Sequence, residues 1–283
     1  MKEDIEFMLA FKMMLLCIIL PEFLLKIILK TMIPIVKSML YFRQRLMIRN
    51  IHDSFPNLTS KEVIKIANDV WYNIGWTFIS TIKYINIPKK IIQKIKFKNK
   101  EKLNQLKGNT IIFTAHIGQW ELLAQRLVLE GYNIAAIVRP LRNKLVDFEV
   151  KKIREKFGGK VFYAHQLKEI MNWLKSGGIV YLLPDQHIAE GSIRVDFLGK
   201  KAFTTPILTL LNKRLNSKII PMFCIHKGTY YEVFIEGEYR PVYTSDLKHD
   251  LEYNTLQINK IIEKYISKYP SQWMWLHRRW KER

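Results

Sequence analysis

Cysteine is scarce in this chain. Cys17 and Cys224 are its two cysteines in 283 residues, with no Cys-x-x-Cys pair and no His/Cys cluster. Nothing therefore points to zinc, no metal is expected, and a disulfide framework has no basis. Glycine-rich phosphate cradles are missing too. Without a Gly-x-Gly-x-x-Gly or a Walker-type loop, nucleotide binding has no support and no cofactor is expected. No Gly-x-Ser-x-Gly elbow is present to expose a serine nucleophile. Acidic residues are few, 25 against 46 Lys and Arg, which leaves a formal charge of +21 and a pI near 9.8. Three partners suit such a surface: nucleic acid, an anionic membrane face or an acidic protein. Part of the Lys excess also matches the Lys-, Ile- and Asn-rich composition that a genome can impose.

A clean membrane-length apolar run is absent as well. Phe7 to Leu29 is strongly apolar but is interrupted by Lys12, Pro21, Glu22 and Lys26, and its cleanest stretch is Met13 to Leu20. A spanning helix needs about 20 apolar residues. The segment is expected either to span as a kinked helix or to lie in the headgroup plane, a buried soluble helix being the bland alternative. One Lys and three acids precede it, and Lys26, Lys30, Lys37, Arg43, Arg45 and Arg49 line or follow it. Positive flanks stay on the cytoplasmic side. The acidic start and the lack of a small-x-small site argue against a cleaved signal. These features predict an N-terminal membrane anchor over 1–35, with the remaining 36–283 a catalytic domain on the cytoplasmic face.

Thr59 and Glu62 have capping-box spacing, and Val63, Ile66, Ala67, Val70, Trp71, Ile74 and Phe78 recur at helical period, predicting a helix to about Tyr84. A basic connector, Lys89 to Lys107, follows. From Thr110 strands and helices alternate. Strands are predicted at 110–115, 134–138, 160–163, 179–183, 218–225 and 230–236, and helices at 119–130, 145–157, 166–176, 205–215 and 251–267. Such alternation gives an α/β fold, a mostly parallel central sheet covered by helices. Ligands on such sheets sit beyond the C-terminal ends of strands. His116, Arg139 and Asp185 all fall just after predicted strands, so they are expected to face one crevice.

The richest stretch is Thr114-Ala115-His116-Ile117-Gly118-Gln119-Trp120-Glu121-Leu122-Leu123. The run Ile111-Ile112-Phe113 leads into His116, and Glu121 follows five positions on, in the first turn of a predicted helix. A histidine with an orienting carboxylate is a general base able to take a proton from a hydroxyl. Of the seven histidines, His277 also has Glu five residues on, at Glu282, but no strand precedes it. The terminal run also carries Trp273, Trp275 and Trp280 among Arg278, Arg279 and Lys281. Aromatic and cationic residues together favour a membrane interface, and they also stack on nucleic-acid bases.

The His116 segment resembles the His-x4-Asp/Glu motif of the glycerolipid acyltransferase superfamily, specifically the bacterial lipid A biosynthesis acyltransferases of lauroyl and myristoyl type. Val138-Arg139-Pro140-Leu141, Arg154 to Gly159, Leu183-Pro184-Asp185-Gln186 and Pro270 to Lys281 follow in that family's order. The resemblance runs from about residue 105 onward, and its closing block is specific. Gln119 departs from the smaller or Asn-like residue expected there.

The resemblance implies transfer of a fatty acyl chain from acyl carrier protein to a hydroxyl of a lipid A precursor, a late acylation in lipopolysaccharide synthesis. His116 and Glu121 would act as a general-base dyad with no acyl-enzyme, at the inner membrane. Arg139 would bind phosphate or polarise the thioester carbonyl, and Arg154 would bind substrate phosphate or stabilise an oxyanion. Asp185 and Gln186 would hydrogen-bond sugar or phosphate-bearing groups of the acceptor. Glu190-Gly191 resembles a Glu-Gly pair of the wider superfamily at looser spacing, and Thr204-Thr205-Pro206 opens the next helix. The donor carrier is acidic and the acceptor phosphorylated, which suits the basic charge. Another membrane glycolipid or phospholipid acceptor is an alternative. A basic nucleic-acid-binding protein is a remoter one: it lacks a binding motif and leaves the apolar N-terminus unexplained, so no nucleic-acid partner is expected.

Overall fold

The computed structural model describes residues 2–188 and 190–282. The apolar N-terminus forms two helices, α1 (Lys2–Ile19) and α2 (Glu22–Met39), separated at Leu20-Pro21. Proline lacks the amide hydrogen a continuing helix needs and pushes the residue before it out of the α region. Among the described residues no helix is long and apolar enough to cross a membrane. This corrects the spanning alternative: Pro21 and the interspersed charges leave two helices of 18 residues, each carrying Lys and acidic side chains. The boundary expected at residue 35 falls inside α2.

After α3 (Tyr41–Ser54), α4 (Ser60–Tyr84) supplies the surface on which the first two helices pack. Its start follows the capping signal. The Thr59 amide donates to Glu62 Oε2 at 2.8 Å, and the Glu62 amide donates to Thr59 Oγ1 at 3.4 Å, satisfying amides that the first turn leaves unpaired. Leu29 of α2 presses against α4 at Gly75, where a Cβ would lie 2.5 Å from Leu29 Cδ1. Lys83 donates to the carbonyls of Ile18 and Leu20 at 3.3 and 2.6 Å, placing a cation at the negative end of α1. The outward sides of α1 and α2 leave Met13, Leu16, Ile19, Phe23, Ile27 and Met39 exposed.

The expected connector is structured instead. It holds α5 (Pro88–Lys94), β1 (Ile95–Phe97) and a 3₁₀ turn, Lys100–Gln105. Ile91, Ile95, Leu103 and Leu106 interleave its lysines and are buried, which fixes a segment whose composition reads as solvated.

The α/β part continues through β2 (Thr110–Phe113), α6 (Trp120–Leu129), β3 (Ile134–Val138), α7 (Lys144–Glu155), β4 (Lys160–Tyr163), α8 (Leu167–Lys175) and β5 (Ile179–Leu182). It closes with β6 (Ile193–Phe197), β7 (Lys200–Thr204), α9 (Ile207–Leu215), β8 (Lys218–His226), β9 (Tyr231–Ile235) and α10 (Leu247–Lys268). Seven strands form one sheet in the order β1-β9-β8-β2-β5-β3-β4. Its neighbouring pairs are parallel, except that β8 and β9 are antiparallel. This is the expected α/β class. The central strands are continuous apolar runs because both faces are covered: Ile111 and Phe113 enter one core, and Ile112 the other. The β6–β7 hairpin lies outside the strands predicted from sequence, although Val195 and Phe197 alternate with exposed Arg194 and Asp196 and Leu198-Gly199 makes the turn.

Candidate active site

Strand register brings the key groups together. Phe113 of β2 lies opposite Leu182 of β5, so His116 and Asp185, each three residues further on, leave adjacent parallel strands side by side. His116 Nδ1 is 2.8 Å from Asp185 Oδ1, and the His116 amide donates to Asp185 Oδ2 at 2.8 Å. Trp273 Nε1 donates to the same oxygen at 2.8 Å. Asp185 is 1% exposed. Burial pushes its carboxyl up, but its pairing with His116 and these three donors outweigh burial and hold it below the usual carboxylate range. An ionised carboxylate only accepts, so His116 carries its proton on Nδ1 and presents Nε2 as the base.

Glu121 stands elsewhere than the dyad reading expects. Its carboxylate grips Arg154 of α7 through two bonds, Nε to Oε2 at 3.1 Å and Nη2 to Oε1 at 2.6 Å. Burial raises its pKa, but Arg154 and, more weakly, His116 bring it below its ordinary value. The carboxylate hydrogen-bonded to His116 is thus Asp185, while Glu121 is an ionised neighbour neutralised by Arg154. Sequence spacing points to Glu121 because it lies five residues from His116; the Asp185 contact depends on strand pairing, and its signal in the sequence is that both residues fall just after predicted strands.

The loop that carries His116 is shaped by Gly118 and Gln119. Gly118 has φ +60°. Its amide donates to the Gln272 carbonyl at 3.0 Å, and the Gln119 amide donates to the Cys224 carbonyl at 2.8 Å. The buried Gln119 side chain caps α6 at the Leu122 amide and donates to Ser80 Oγ at 2.7 Å and the Thr77 carbonyl at 3.1 Å. A shorter residue would not span from α6 to α4, which accounts for glutamine at this position.

His116, Glu121 and Arg154 open onto a cleft of about 490 Å³, within the range of small-molecule sites. Arg139, Gln186 and Glu190 also line it, and its walls are apolar, among them Val128, Ile137, Leu167, Ile170 and Ile207. Arg139 follows β3 and is exposed, with no ion pair to a described residue. Gln186 Nε2 lies 3.9 Å from Met274 Sδ. Thr205 accepts from the Ile207 amide at 3.3 Å and so opens α9. One polar end and an apolar interior fit a molecule with a reacting head and an aliphatic tail.

The terminal aromatic-basic run is not a solvent-facing platform. Trp273 and Trp275 are buried, and so is Arg279, whose guanidinium donates to the Phe203 carbonyl and Thr204 Oγ1 and lies 4.5 Å from the Phe197 ring centre. Stacking on bases, or insertion at a membrane interface, is closed to these side chains. The run instead clamps the site: the Met274 amide donates to the His116 carbonyl at 3.0 Å.

His277 lies in this run. Burial pulls its pKa down to about 4; Asp185 opposes the shift, and His116, Arg279 and His187 add to it. Below the ordinary value of 6.5 the unfolded chain binds a proton here that the folded protein refuses until about pH 4. Stability therefore rises with pH across that window, by on the order of 3 kcal/mol in all. Urea unfolding is expected to show lower stability at pH 5 than at pH 7, with His277→Gln flattening the difference; an unchanged slope in that variant would assign the effect to other groups.

Comparison with known proteins finds relatives over most of the chain. The model of the bacterial lipid A biosynthesis acyltransferases matches residues 3–282. A lipid A biosynthesis acyltransferase of Haemophilus influenzae is 29% identical over 244 residues, covering 80% of this chain and 72% of its own. The lipid A biosynthesis myristoyltransferase and lauroyltransferase of Escherichia coli are 24% and 25% identical over 240 and 249 residues, which is 83% and 85% of this chain and 73% and 80% of theirs. With a family match over nearly its whole length, the chain belongs to the bacterial lipid A biosynthesis acyltransferases.

Proposed function

We propose that this acyltransferase moves a fatty acyl chain from acyl carrier protein to a hydroxyl of a lipid A precursor, with His116 as general base. The observation that carries the reading is the His116–Asp185 pair at the polar end of an apolar cleft. The acceptor hydroxyl attacks the thioester carbonyl carbon as His116 Nε2 takes its proton. The carbon–sulfur bond then breaks, and the imidazolium returns the proton to the departing thiolate. The products are an ester and a free thiol, with no bond formed to the protein. Asp185 fixes the tautomer and stabilises the imidazolium. Glu121 fixes Arg154, which faces the oxygen that becomes anionic. Arg139, exposed at the mouth, grips a phosphate, and Gln186 orients the acceptor's polar groups.

The enzyme works at the cytoplasmic face of the inner membrane, resting on the exposed apolar side of α1 and α2 rather than spanning. Residues 1–35 serve as its membrane-contacting part and 36–283 as its catalytic part. The test incubates purified protein with acyl carrier protein thioesters and a tetra-acylated precursor and reads both lipid and intact protein by mass spectrometry. One added acyl chain on the lipid and none on the protein is expected. An acyl adduct on the protein would overturn the mechanism, and transfer only to a different acceptor would overturn the assignment.

A further inference from the structure

Away from the His116 cleft, Arg43, Arg45 and Arg49 of α3 and Arg278 of the terminal run surround a second cleft of about 390 Å³, together with Phe42 and Leu46. Phe42, Arg45, Leu46 and Arg49 recur at i, i+3, i+4 and i+7, so one helical face builds it. All four arginines are exposed. Arg43 donates to the Leu276 carbonyl at 3.2 Å, and Arg45 lies 5.8 Å from the Tyr41 ring centre. None of the four forms an ion pair with a described carboxylate. Asp53, one turn beyond Arg49, is held by Lys200 at 2.8 Å and acts on Arg49 only at longer range.

Four guanidinium groups share this face with only the more distant Asp53 acting on Arg49 among the described carboxylates; they repel one another, and the Arg45–Arg49 pair does so at i, i+4. A bound anion removes that cost. Arginine forks suit phosphate, through paired hydrogen bonds. The rim decides which phosphate. Phe42 is 84% exposed and Met39 is 79% exposed, and this apolar collar continues onto the outward side of α2. A free phosphate gains nothing from such a collar, whereas a lipid places its headgroup among the cations and its chains against the apolar side chains.

We propose that this cleft binds the phosphate of an anionic phospholipid headgroup, docking the protein in one orientation. The assignment rests on the membrane-surface reading above. Arg278 follows His277 directly, and Asn50 of α3 donates to the carbonyls of Trp275 and His277 at 3.1 and 3.2 Å. Docking here therefore bears on the same terminal run that clamps the His116 loop.

The test is vesicle flotation of the full chain with phosphatidylcholine alone and with phosphatidylcholine mixed with phosphatidylglycerol. Each cation near an anionic surface contributes about fivefold in partitioning. Arg45→Gln/Arg49→Gln/Arg278→Gln is expected to lose on the order of a hundredfold of its preference for the mixed vesicles. The corresponding Lys variant, which keeps the charge but not the paired hydrogen bonds, is expected to fall between the wild type and the Gln variant. Lys175→Gln/Lys218→Gln/Lys248→Gln, with the same loss of charge at remote exposed positions, should lose clearly less. Equal losses in the two Gln variants, with wild-type preference intact, would overturn the cleft and leave the membrane reading standing. Wild-type protein that floats with neither vesicle would overturn both. Release by inorganic phosphate well beyond release by chloride at equal ionic strength would reassign the cleft to free phosphate and overturn the lipid assignment.

Discussion

His116→Ala is expected to lower acyl transfer by about 10²–10⁴ while leaving the unfolding transition in place, since general-base catalysis typically contributes that much. Asp185→Asn is expected to fall within the same range. An asparagine cannot act as the ionised acceptor of the Nδ1 proton, and its amide hydrogens compete with the Trp273 donor. Because the two residues act as one unit, the double variant should lose little more than the worse single variant. Glu121→Gln separates the two carboxylates. It frees Arg154 from a two-bond grip but leaves the His116–Asp185 bond in place. Turnover measured by mass spectrometry on protein of verified fold decides between them: a fully active Asp185→Asn beside a dead Glu121→Gln would return the orienting role to Glu121.

Gly118→Ala is expected to cost at least about 4 kcal/mol, a large share of the roughly 5–15 kcal/mol stability of an ordinary domain. An added Cβ would lie 1.9 Å from the Cys224 carbonyl oxygen, the acceptor of the Gln119 amide. The obstacle is backbone at the end of a central strand, so it cannot swing aside as a side chain would. The positive φ adds about 1–2 kcal/mol of its own. Gly131→Ala isolates this second contribution, since Gly131 has φ +90° and nothing within 4 Å of its Cβ position. Denaturant midpoints should separate the two variants by several kcal/mol; similar, small losses in both would mean that the His116 loop yields more readily than its contacts imply.

Local rules made much of the fold readable. The Thr59–Glu62 box set the start of α4, and the alternation after Thr110 gave six of the seven strands of the central sheet to within a residue or two, β1 being the exception, because those signals lie within a few residues of the structure they encode. What escaped depends on distance along the chain. The partner of His116 comes from a strand paired in register, 69 residues further on, and no short window contains both. The Lys89–Lys107 segment reads as solvent-loving because lysines dominate its composition, yet four apolar side chains hold it down. The tryptophans near the end look like a surface belt until the buried course of Trp273 and Trp275 is known. Pro21 was legible as an interruption, but which of two membrane geometries it leaves depends on packing against α4.

The clamp on the His116 loop by Gln272 and Met274 has a consequence for the timing of biosynthesis. A nascent chain that has emerged as far as β9 already carries His116, Asp185, Arg139 and Arg154, with all the strands that position them. It lacks the two backbone bonds that hold the loop and the indole that holds the aspartate. The centre is completed only after α10 has been made and the chain has turned back across the strand ends. A partly synthesised or interrupted chain would thus present the cleft without the bonds that hold His116 and Asp185 in place, so the centre is set only once the segment after α10 has been made.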